Sequence, residues 1–298
     1  MARSDAGGGS PPVMLGMQMP DFDRWSSRVV TALGQNPSAF TGPGTNTYLV
    51  GTGEEKILID TGDGRPDYLP VLESAMEFAG CSRLQEIVLT HGHPDHIGGV
   101  QSILDRMGPL RVRKMPNAAF DAPYDFAMEP LEDGCIIETE GATLRGIHTP
   151  GHAPDHLCFL LEEEGGVFTG DNVLGVGTTI IPAETGDLGD YLASLEKLLD
   201  LTPTKIFPAH GPLVEEGSAK VQEYLDHRLE REAQIVRALE TGADQVPAMV
   251  KIIYAAYPES LYAAAGQSVT SHLLKLEREG RVARRPDPAT ESDRWQLV

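Results

Sequence analysis

The segment THGHPDHIGG, residues 90–99, contains three histidines and an aspartate within six positions and continues into two glycines. It follows EIVLT (residues 86–90), whose apolar, mostly β-branched residues predict a short buried strand. His91 and His93 therefore lie at the end of a strand, where side chains two positions apart point to the same side. Their imidazoles can converge on one point, as metal ligands do.

Pro94 favours the first turn of a helix, which we expect to run to about Met107. Asp95 and His96 then stand at the start of that helix. One strand-to-helix turn presents four ligand-type side chains to a single cavity, the first pair suited to one metal ion and the second pair to another.

A metal site needs more ligands than one turn supplies, and three further strand-end loops carry them. Loops of this kind are anchored by the strand on one side and shape a cleft on the other. The loops and their candidate ligands are TPGHAPDH (149–156) with His152, GGVFTGDNVLG (165–175) with Asp171, and KIFPAHGP (205–212) with His210.

These residues, in type, order and separation, resemble the metallo-β-lactamase superfamily, in the branch of β-lactamase-like protein 2. The similarity runs from about residue 24 to the C terminus. It includes GTNTYLVGTG (44–53), ILIDTG (57–62), EGATLRGIHTPGHAPDH (140–156), GDNVLGVGTT (170–179) and PAHGP (208–212). The resemblance implies an α/β fold, an αββα sandwich with the metals at the edge of the strands.

The resemblance also implies the roles of the site residues, in a glyoxalase II-like metal site. His91, His93 and His152 would hold one metal, Asp95, His96 and His210 the second, and Asp171 would bridge both. Asp60 would orient a ligand histidine, although an aspartate before Thr-Gly is equally typical of a turn.

We expect the catalytic residues to be Asp95, Asp171 and His156. For His156 two interpretations remain open: an acid or substrate contact at the cavity wall, or a cap of the following strand. Thr178 and Thr179 in a glycine-rich loop either contact substrate or form a turn.

Two divalent ions roughly 3.5–4 Å apart lower the pKa of a shared water toward ~7, and the metal-bound hydroxide attacks an acyl or phosphoryl centre. A shell of histidine and carboxylate suits two Zn²⁺, and Mn or Fe remains an alternative. In related lactamases a cysteine stands where this chain has Asp171, so only weak β-lactam turnover is expected. Flavodiiron-type proteins carry glutamate in place of His93, so the resemblance does not favour an oxygen-reducing diiron centre. A persulfide dioxygenase with a single iron stays open.

The 298-residue chain has a net charge of −20 and only three cysteines, with no CxxC spacing. Free thiols fit a reduced compartment, which predicts a cytoplasmic protein. We interpret residues 1–20 as a flexible arm, because they resemble neither a secretory signal nor a membrane span.

Charge separates two predicted domains. Residues 21–226, predicted to form the catalytic domain, contain nearly all the excess acid, whereas residues 227–298 contain ten basic and ten acidic residues. The second segment predicts three amphipathic helices and a strand beginning at residues 281–285, a winged-helix-like pattern. We favour a helical lid over a nucleic-acid grip, because phosphate binding requires clustered Lys and Arg.

Three functions compete. We favour a dinuclear zinc hydrolase of a small ester, thioester or lactone-type substrate. A single-strand-specific endoribonuclease is the alternative, and Arg111, Arg113 and Lys114 are candidates for a basic rim that would attract RNA. A binding or regulatory protein that uses the C-terminal module is the third. No membrane partner is expected, and the sequence does not indicate an oligomeric state.

Overall fold

Two β-sheets pack face to face in the computed structural model, which describes residues 17–287 and 293–298. The first sheet has seven strands in chain order: β1 (Phe22–Arg24), β2 (Val29–Leu33), β3 (Asn46–Val50), β4 (Glu55–Ile59), β5 (Arg83–Val88), β6 (Arg111–Lys114) and β7 (Glu129–Pro130). The second sheet has five, in the order β12-β11-β10-β9-β8: β8 (Ile136–Thr139), β9 (Ala142–His148), β10 (Leu157–Leu161), β11 (Gly166–Gly170) and β12 (Ile206–Pro208).

The described residues form eight α-helices that flank or follow the sheets. They are α1 (Tyr68–Ala79), α2 (Pro94–Ile97), α3 (Val100–Met107), α4 (Ala118–Asp121), α5 (Leu188–Asp200), α6 (Gly217–Glu240), α7 (Val246–Ile253) and α8 (Tyr262–Arg278). A hairpin of β13 (Val282–Arg285) and β14 (Arg294–Leu297) completes the described chain.

Alternate residues of the central strands enter two different cores, which explains their continuous apolar sequence. In β4, Ile57 and Ile59 pack between the sheets, whereas Leu58 packs against α1 and α3. In β10, Phe159 packs between the sheets, whereas Cys158 packs against the layer formed by α5 and α6. The predicted αββα sandwich is therefore confirmed.

The helix predicted from Pro94 to Met107 is interrupted at Gly98 and Gly99, between α2 and α3. The loop after β4 passes directly over this break, and a Cβ on Gly99 would overlap the Thr61 carbonyl oxygen. Thr61 in turn donates its backbone N–H (2.8 Å) and hydroxyl (2.7 Å) to the His96 carbonyl. The two glycines thus allow the β4 loop to lie against the metal-ligand turn.

The C-terminal helices and hairpin form their own core around Leu273 and Trp295, with the winged-helix-like arrangement that the sequence predicts. Helix α6 runs without interruption through the predicted domain boundary at residue 226. Its first half packs on the sandwich through Tyr224, and its second half joins the C-terminal core through Ile235. The helix therefore belongs to both units, and the division into domains stays a prediction.

Most of the predicted N-terminal arm, residues 1–16, lies outside the described residues, whereas Met19 is buried. Cys81, Cys135 and Cys158 all carry free thiols. Within the described ranges, no helix is long and apolar enough to cross a membrane.

Candidate metal centre

The predicted site residues meet at one edge of the sandwich, just beyond the carboxyl ends of five strands. The strand ends and the residues that follow them are β4 with Asp60, β5 with His91 and His93, β9 with His152, β11 with Asp171, and β12 with His210. A hydrogen bond joins the two sheets at this edge: the Asn46 side-chain amide of β3 donates to the Pro208 carbonyl of β12 at 2.9 Å. The fold thereby brings residues 119 positions apart in the chain, His91 and His210, to one cleft.

The first ligand group consists of His91, His93, His152 and Asp171. His93 Nδ1 lies 2.9 Å from His91 Nε2 and 3.0 Å from His152 Nε2. Burial and then the neighbouring imidazole of His152 lower the pKa of His93 to about 4, and burial with the surrounding histidines holds the pKa of His91 well below its ordinary value. Three neutral imidazoles with converging nitrogens match the lone-pair set that a divalent metal requires.

The second group consists of Asp95, His96 and His210. Asp95 Oδ2 lies 3.5 Å from His96 Nε2 and 3.4 Å from His210 Nε2. Burial opposes protonation of both histidines, but the facing carboxylates outweigh it: they raise the pKa of His96 well above its usual value and that of His210 to about 9. A metal ion would replace those protons as the positive charge between the carboxylates.

Asp171 stands between the two groups. Its Oδ2 lies 3.4 Å from His152 Nε2, and its Oδ1 lies 3.1 Å from His210 Nε2 and 3.4 Å from His96 Nε2. Burial would raise the pKa of Asp171, yet His210 and His96 hold it well below its ordinary value. One ionised carboxylate therefore offers one oxygen to each group.

Two buried atoms test whether this arrangement fits metal ions. Within the described residues, His96 Nε2 and Asp171 Oδ1 have no hydrogen-bond partner of good geometry, although both are shielded from solvent. Buried polar atoms are seldom left in this state. Since both atoms point into the ligand groups, the residues fit a bound cation.

Outer hydrogen bonds select the ring nitrogen that each ligand presents. His152 Nδ1 donates to the Ile180 carbonyl at 2.8 Å, and His210 Nδ1 to the Gly44 carbonyl at 3.3 Å. A proton fixed on Nδ1 leaves the Nε2 lone pair for the metal.

Asp60 contacts the second group directly and the first group through Thr90. Its Oδ2 accepts from His96 Nδ1 at 2.7 Å and from the Thr90 hydroxyl at 2.8 Å, and its Oδ1 accepts from the Thr90 N–H at 2.8 Å. Thr90 Oγ1 also lies 3.1 Å from His91 Nδ1, so the threonine relays the carboxylate to the first group. The position of Thr90, immediately before His91, was the only signal in the sequence for this role.

His156 does not reach the cavity wall, so the expectation that it acts there as an acid or substrate contact needs correction. The side chain is fully buried, its Nδ1 lies 3.0 Å from the Thr149 hydroxyl, and its Nε2 accepts the Asp171 N–H at 3.1 Å. Gly170 accommodates the ring, because a Cβ there would meet His156 Nε2. The geometry indicates that His156 positions the Asp171 backbone.

The ligand groups open into a cavity of about 330 Å³. Five of the seven predicted ligands line it, and Phe40, Leu174, Val176, Ile180 and Pro182 provide most of its apolar wall. Thr178 is exposed at this wall, whereas the Thr179 hydroxyl donates to the Asp171 carbonyl. No residue of α6, α7 or α8 is among the described residues that line the cavity, so the C-terminal module does not cover the site as the predicted lid would.

Each residue of the candidate basic rim lies beside a carboxylate. Arg111 pairs with Glu129 at 2.6 Å, and Arg113 lies 3.5 Å from Glu86. Lys114 is buried, where its ammonium contacts Asp155 at 2.5 Å. All three charges are paired with carboxylates, which reduces the net positive charge at this strand.

The comparisons with known proteins agree with this geometry. The family model described as the metallo-beta-lactamase superfamily matches residues 40–210, and that of the beta-lactamase associated winged helix domain matches residues 246–295. A beta-lactamase-like protein 2 homolog of Drosophila melanogaster is 41% identical over 276 residues, which cover 89% of this chain and 92% of the relative.

Two further relatives extend the comparison. An atrochrysone carboxyl ACP thioesterase of Aspergillus chevalieri is 39% identical, over 89% of this chain and 86% of the relative. The crystal structure of a metallo-beta-lactamase family protein from Thermus thermophilus has the same fold, with a TM-score of 0.72 and 24% identity over 94% of this chain and 99% of that one. The branch that the sequence motifs indicated is confirmed, and the chain belongs to the metallo-β-lactamase superfamily.

Proposed function

We propose that this protein is a dinuclear metal hydrolase that cleaves a thioester or a related acyl bond. The observation that carries the proposal is the position of Asp171 between two ligand groups that open into a cavity with largely apolar walls. Superfamily membership and the similarity to a thioesterase both indicate a hydrolase.

Two divalent ions bound by these residues would activate water at neutral pH and polarise the scissile carbonyl. Zinc suits the histidine and carboxylate donors best, and manganese or iron is the alternative that ligand type leaves open. The protein's contribution is to fix the donors. The Ile180 and Gly44 carbonyls and the Asp60 carboxylate hold three ligand imidazoles in one tautomer.

The cavity favours an acyl substrate over a phosphodiester. Among the described residues that line it there is no lysine or arginine, and Phe40 and Val176 offer apolar surface beside the ligands. RNA would bring a row of phosphates to a chain of net charge −20. Since phosphate binding draws on clustered cations, an acyl group with apolar substituents fits this cleft better.

The test compares substrates with one preparation. The zinc-loaded protein is given an acyl thioester whose released thiol is coloured by a disulfide reagent, a chromogenic β-lactam, and a labelled single-stranded RNA. Asp171→Ala serves as the control for contaminating enzymes. We expect thioester turnover that the control lacks, and at most weak β-lactam turnover.

RNA cleavage that disappears in the control, without thioester turnover, would replace this proposal with an endoribonuclease. Absence of all three activities in protein that holds two zinc ions would favour a binding or regulatory role for the winged-helix module. If protein loaded with a single iron instead consumes oxygen as it turns over a persulfide, the protein is a persulfide dioxygenase.

A further inference from the structure

The segment between β11 and α5 has no regular secondary structure, yet it forms much of the active-site cavity. We call residues 174–182 the wall loop, because most of them line the cavity. The backbone carbonyls of an irregular segment need hydrogen-bond partners from elsewhere in the protein. The question is which parts of the molecule supply them.

Side chains of the C-terminal helices supply three of these partners, at alternate residues of the wall loop. The hydrogen bonds run from Tyr224 Oη to the Gly177 carbonyl (3.0 Å), from Arg228 Nη2 to the Thr179 carbonyl (2.5 Å) and from Ser271 Oγ to the Ile181 carbonyl (2.7 Å). Tyr224 and Arg228 lie one turn apart on α6, and Ser271 lies on α8. Helices α6 and α8 therefore hold one side of the wall loop.

The other side of the wall loop holds two metal-ligand residues. The carbonyl of Ile180, between two of the anchored residues, accepts the hydrogen bond from His152 Nδ1 at 2.8 Å. The hydroxyl of Thr179 donates to the backbone carbonyl of Asp171. The loop thus connects the C-terminal helices to one ligand of the first group and to the carboxylate between the groups.

Arg228 has a second contact in the same direction. Its guanidinium lies 5.3 Å from the centroid of the Tyr191 ring, and the Tyr191 hydroxyl donates to the Asn172 carbonyl at 2.7 Å. Only 4% of Arg228 is exposed. Burying a cation costs free energy unless polar groups or aromatic rings contact it. For Arg228 these contacts are the Thr179 carbonyl and the Tyr191 ring.

We propose that Arg228 and Ser271, together with Tyr224, are positioning residues of the metal centre. They fix the wall loop so that the Ile180 carbonyl orients His152 toward the metal. Helices α6 and α8 then act as a support for the ligands, in place of the lid that the sequence suggested. This inference rests on the metal centre of the proposed function.

The chain offers matched controls for both helices. Arg231 is also buried on α6, but its guanidinium lies 4.0 Å from the Tyr254 ring, within the C-terminal module. On α8, Thr270 Oγ1 lies 2.9 Å from the Gly266 carbonyl, as Ser271 Oγ lies 3.0 Å from the Gln267 carbonyl. Only Ser271 also reaches the wall loop.

The experiment compares Arg228→Met with Arg231→Met, and Ser271→Ala with Thr270→Val. Zinc affinity is measured by competition with a chromophoric chelator, and the visible spectrum of the cobalt-substituted protein reports ligand geometry. We expect Arg228→Met and Ser271→Ala to weaken at least one zinc by about 10- to 100-fold and to shift the cobalt bands, since outer partners of ligands have effects of this size. Arg228→Lys should recover part of the affinity.

The controls should keep the affinities and spectrum of the parent protein, even where their melting temperature falls. Variants and controls with the same affinities and spectra would overturn the inference while leaving the proposed function intact. If Arg228→Met does not fold, the comparison of Ser271→Ala with Thr270→Val tests the inference by itself. A parent protein that binds no zinc would overturn the proposed function and this inference with it.

Discussion

Replacing Asp60 by asparagine tests how far one buried carboxylate holds the metal site together. The Thr90 N–H donates to Asp60 Oδ1, so the asparagine carbonyl oxygen would take that place. The amide nitrogen would then face His96 Nδ1, which lies 2.7 Å from Oδ2 in the parent protein. Two donors would oppose each other at the ligand histidine, and the hydrogen bond that selects its tautomer would be lost.

The expected magnitude follows from that lost bond. A hydrogen bond to a charged group contributes about 1.5–3 kcal/mol, which corresponds to roughly 10- to 150-fold in affinity. Loss of an outer partner of a metal ligand costs about 10- to 100-fold. We therefore expect zinc to bind about 10- to 100-fold more weakly at the group that contains His96. The group that contains His91 should weaken less than about tenfold, because Asp60 reaches it only through Thr90.

Backbone geometry makes asparagine the informative substitution. Asp60 has a φ of 59°, in the left-handed region that asparagine also tolerates. Alanine would add about 1–2 kcal/mol of backbone strain to the lost hydrogen bond. Asp63→Asn is the matched control, because Asp63 lies in the same loop and pairs with Arg65 at 3.1 Å.

The assay is a zinc competition titration that resolves the two equivalents, with melting temperatures measured in chelator. Asp60→Asn protein that binds both ions as tightly as Asp63→Asn protein would refute the argument. An equal loss at both groups would refute the assignment of Asp60 chiefly to His96.

Four further outcomes follow from the structure. Asp171→Ala should lose at least one zinc equivalent and nearly all hydrolysis while staying folded; full metal content with retained activity would exclude a bridging carboxylate. His156→Ala should lower the free energy of unfolding by about 1–3 kcal/mol, because the Asp171 N–H is left without its acceptor, and should keep the shape of the pH–rate profile; a missing limb in that profile would show an acid role. Lys114→Met should lower the free energy of unfolding in urea by about 3–5 kcal/mol, since it leaves the buried Asp155 carboxylate without that cation. Adding Asp155→Asn should restore part of this free energy, and a Lys114→Met protein as stable as the parent would contradict the argument. Burial, followed by nearby cations, lowers the pKa of His272 to about 3, so the unfolded state takes up the proton first as the pH falls. The free energy of unfolding should therefore fall by up to about 1.4 kcal/mol per pH unit below about pH 6. His272→Leu should lose less of this free energy between about pH 7.5 and pH 5, and equal losses in the variant and the parent would exclude the effect.

The sequence predicted the winged-helix-like pattern and the seven candidate ligands from local spacing, and the αββα sandwich from the resemblance to the metallo-β-lactamase superfamily. Local spacing is sufficient for the ligands, because short apolar runs such as EIVLT predict buried strands. A polar residue such as His91 or Asp171, directly after a buried strand, must then lie at the edge of the sheet. Five of the candidate ligands follow strands in this way, Asp95 and His96 lie in the adjoining helix α2, and the structure brings all seven together.

Tertiary structure decided what the same patterns left open. His156 follows a strand-end loop as His152 does, yet its ring points inward to the Asp171 N–H. The helix that spacing alone would continue is interrupted at Gly98 and Gly99, where the loop after β4 lies against it. Arg228 stands in an ordinary amphipathic helix, and no local pattern indicates that its guanidinium reaches the Thr179 carbonyl.

The physical reason is the range of the interaction. Periodicity and strand ends are set by backbone geometry and by solvent, which act on neighbouring residues in the chain. A hydrogen bond between α8 and the wall loop joins Ser271 and Ile181, and it depends on how two independently formed layers pack. The sequence therefore determined which residues can bind metal, and the packing of the C-terminal helices decided what holds those residues in place.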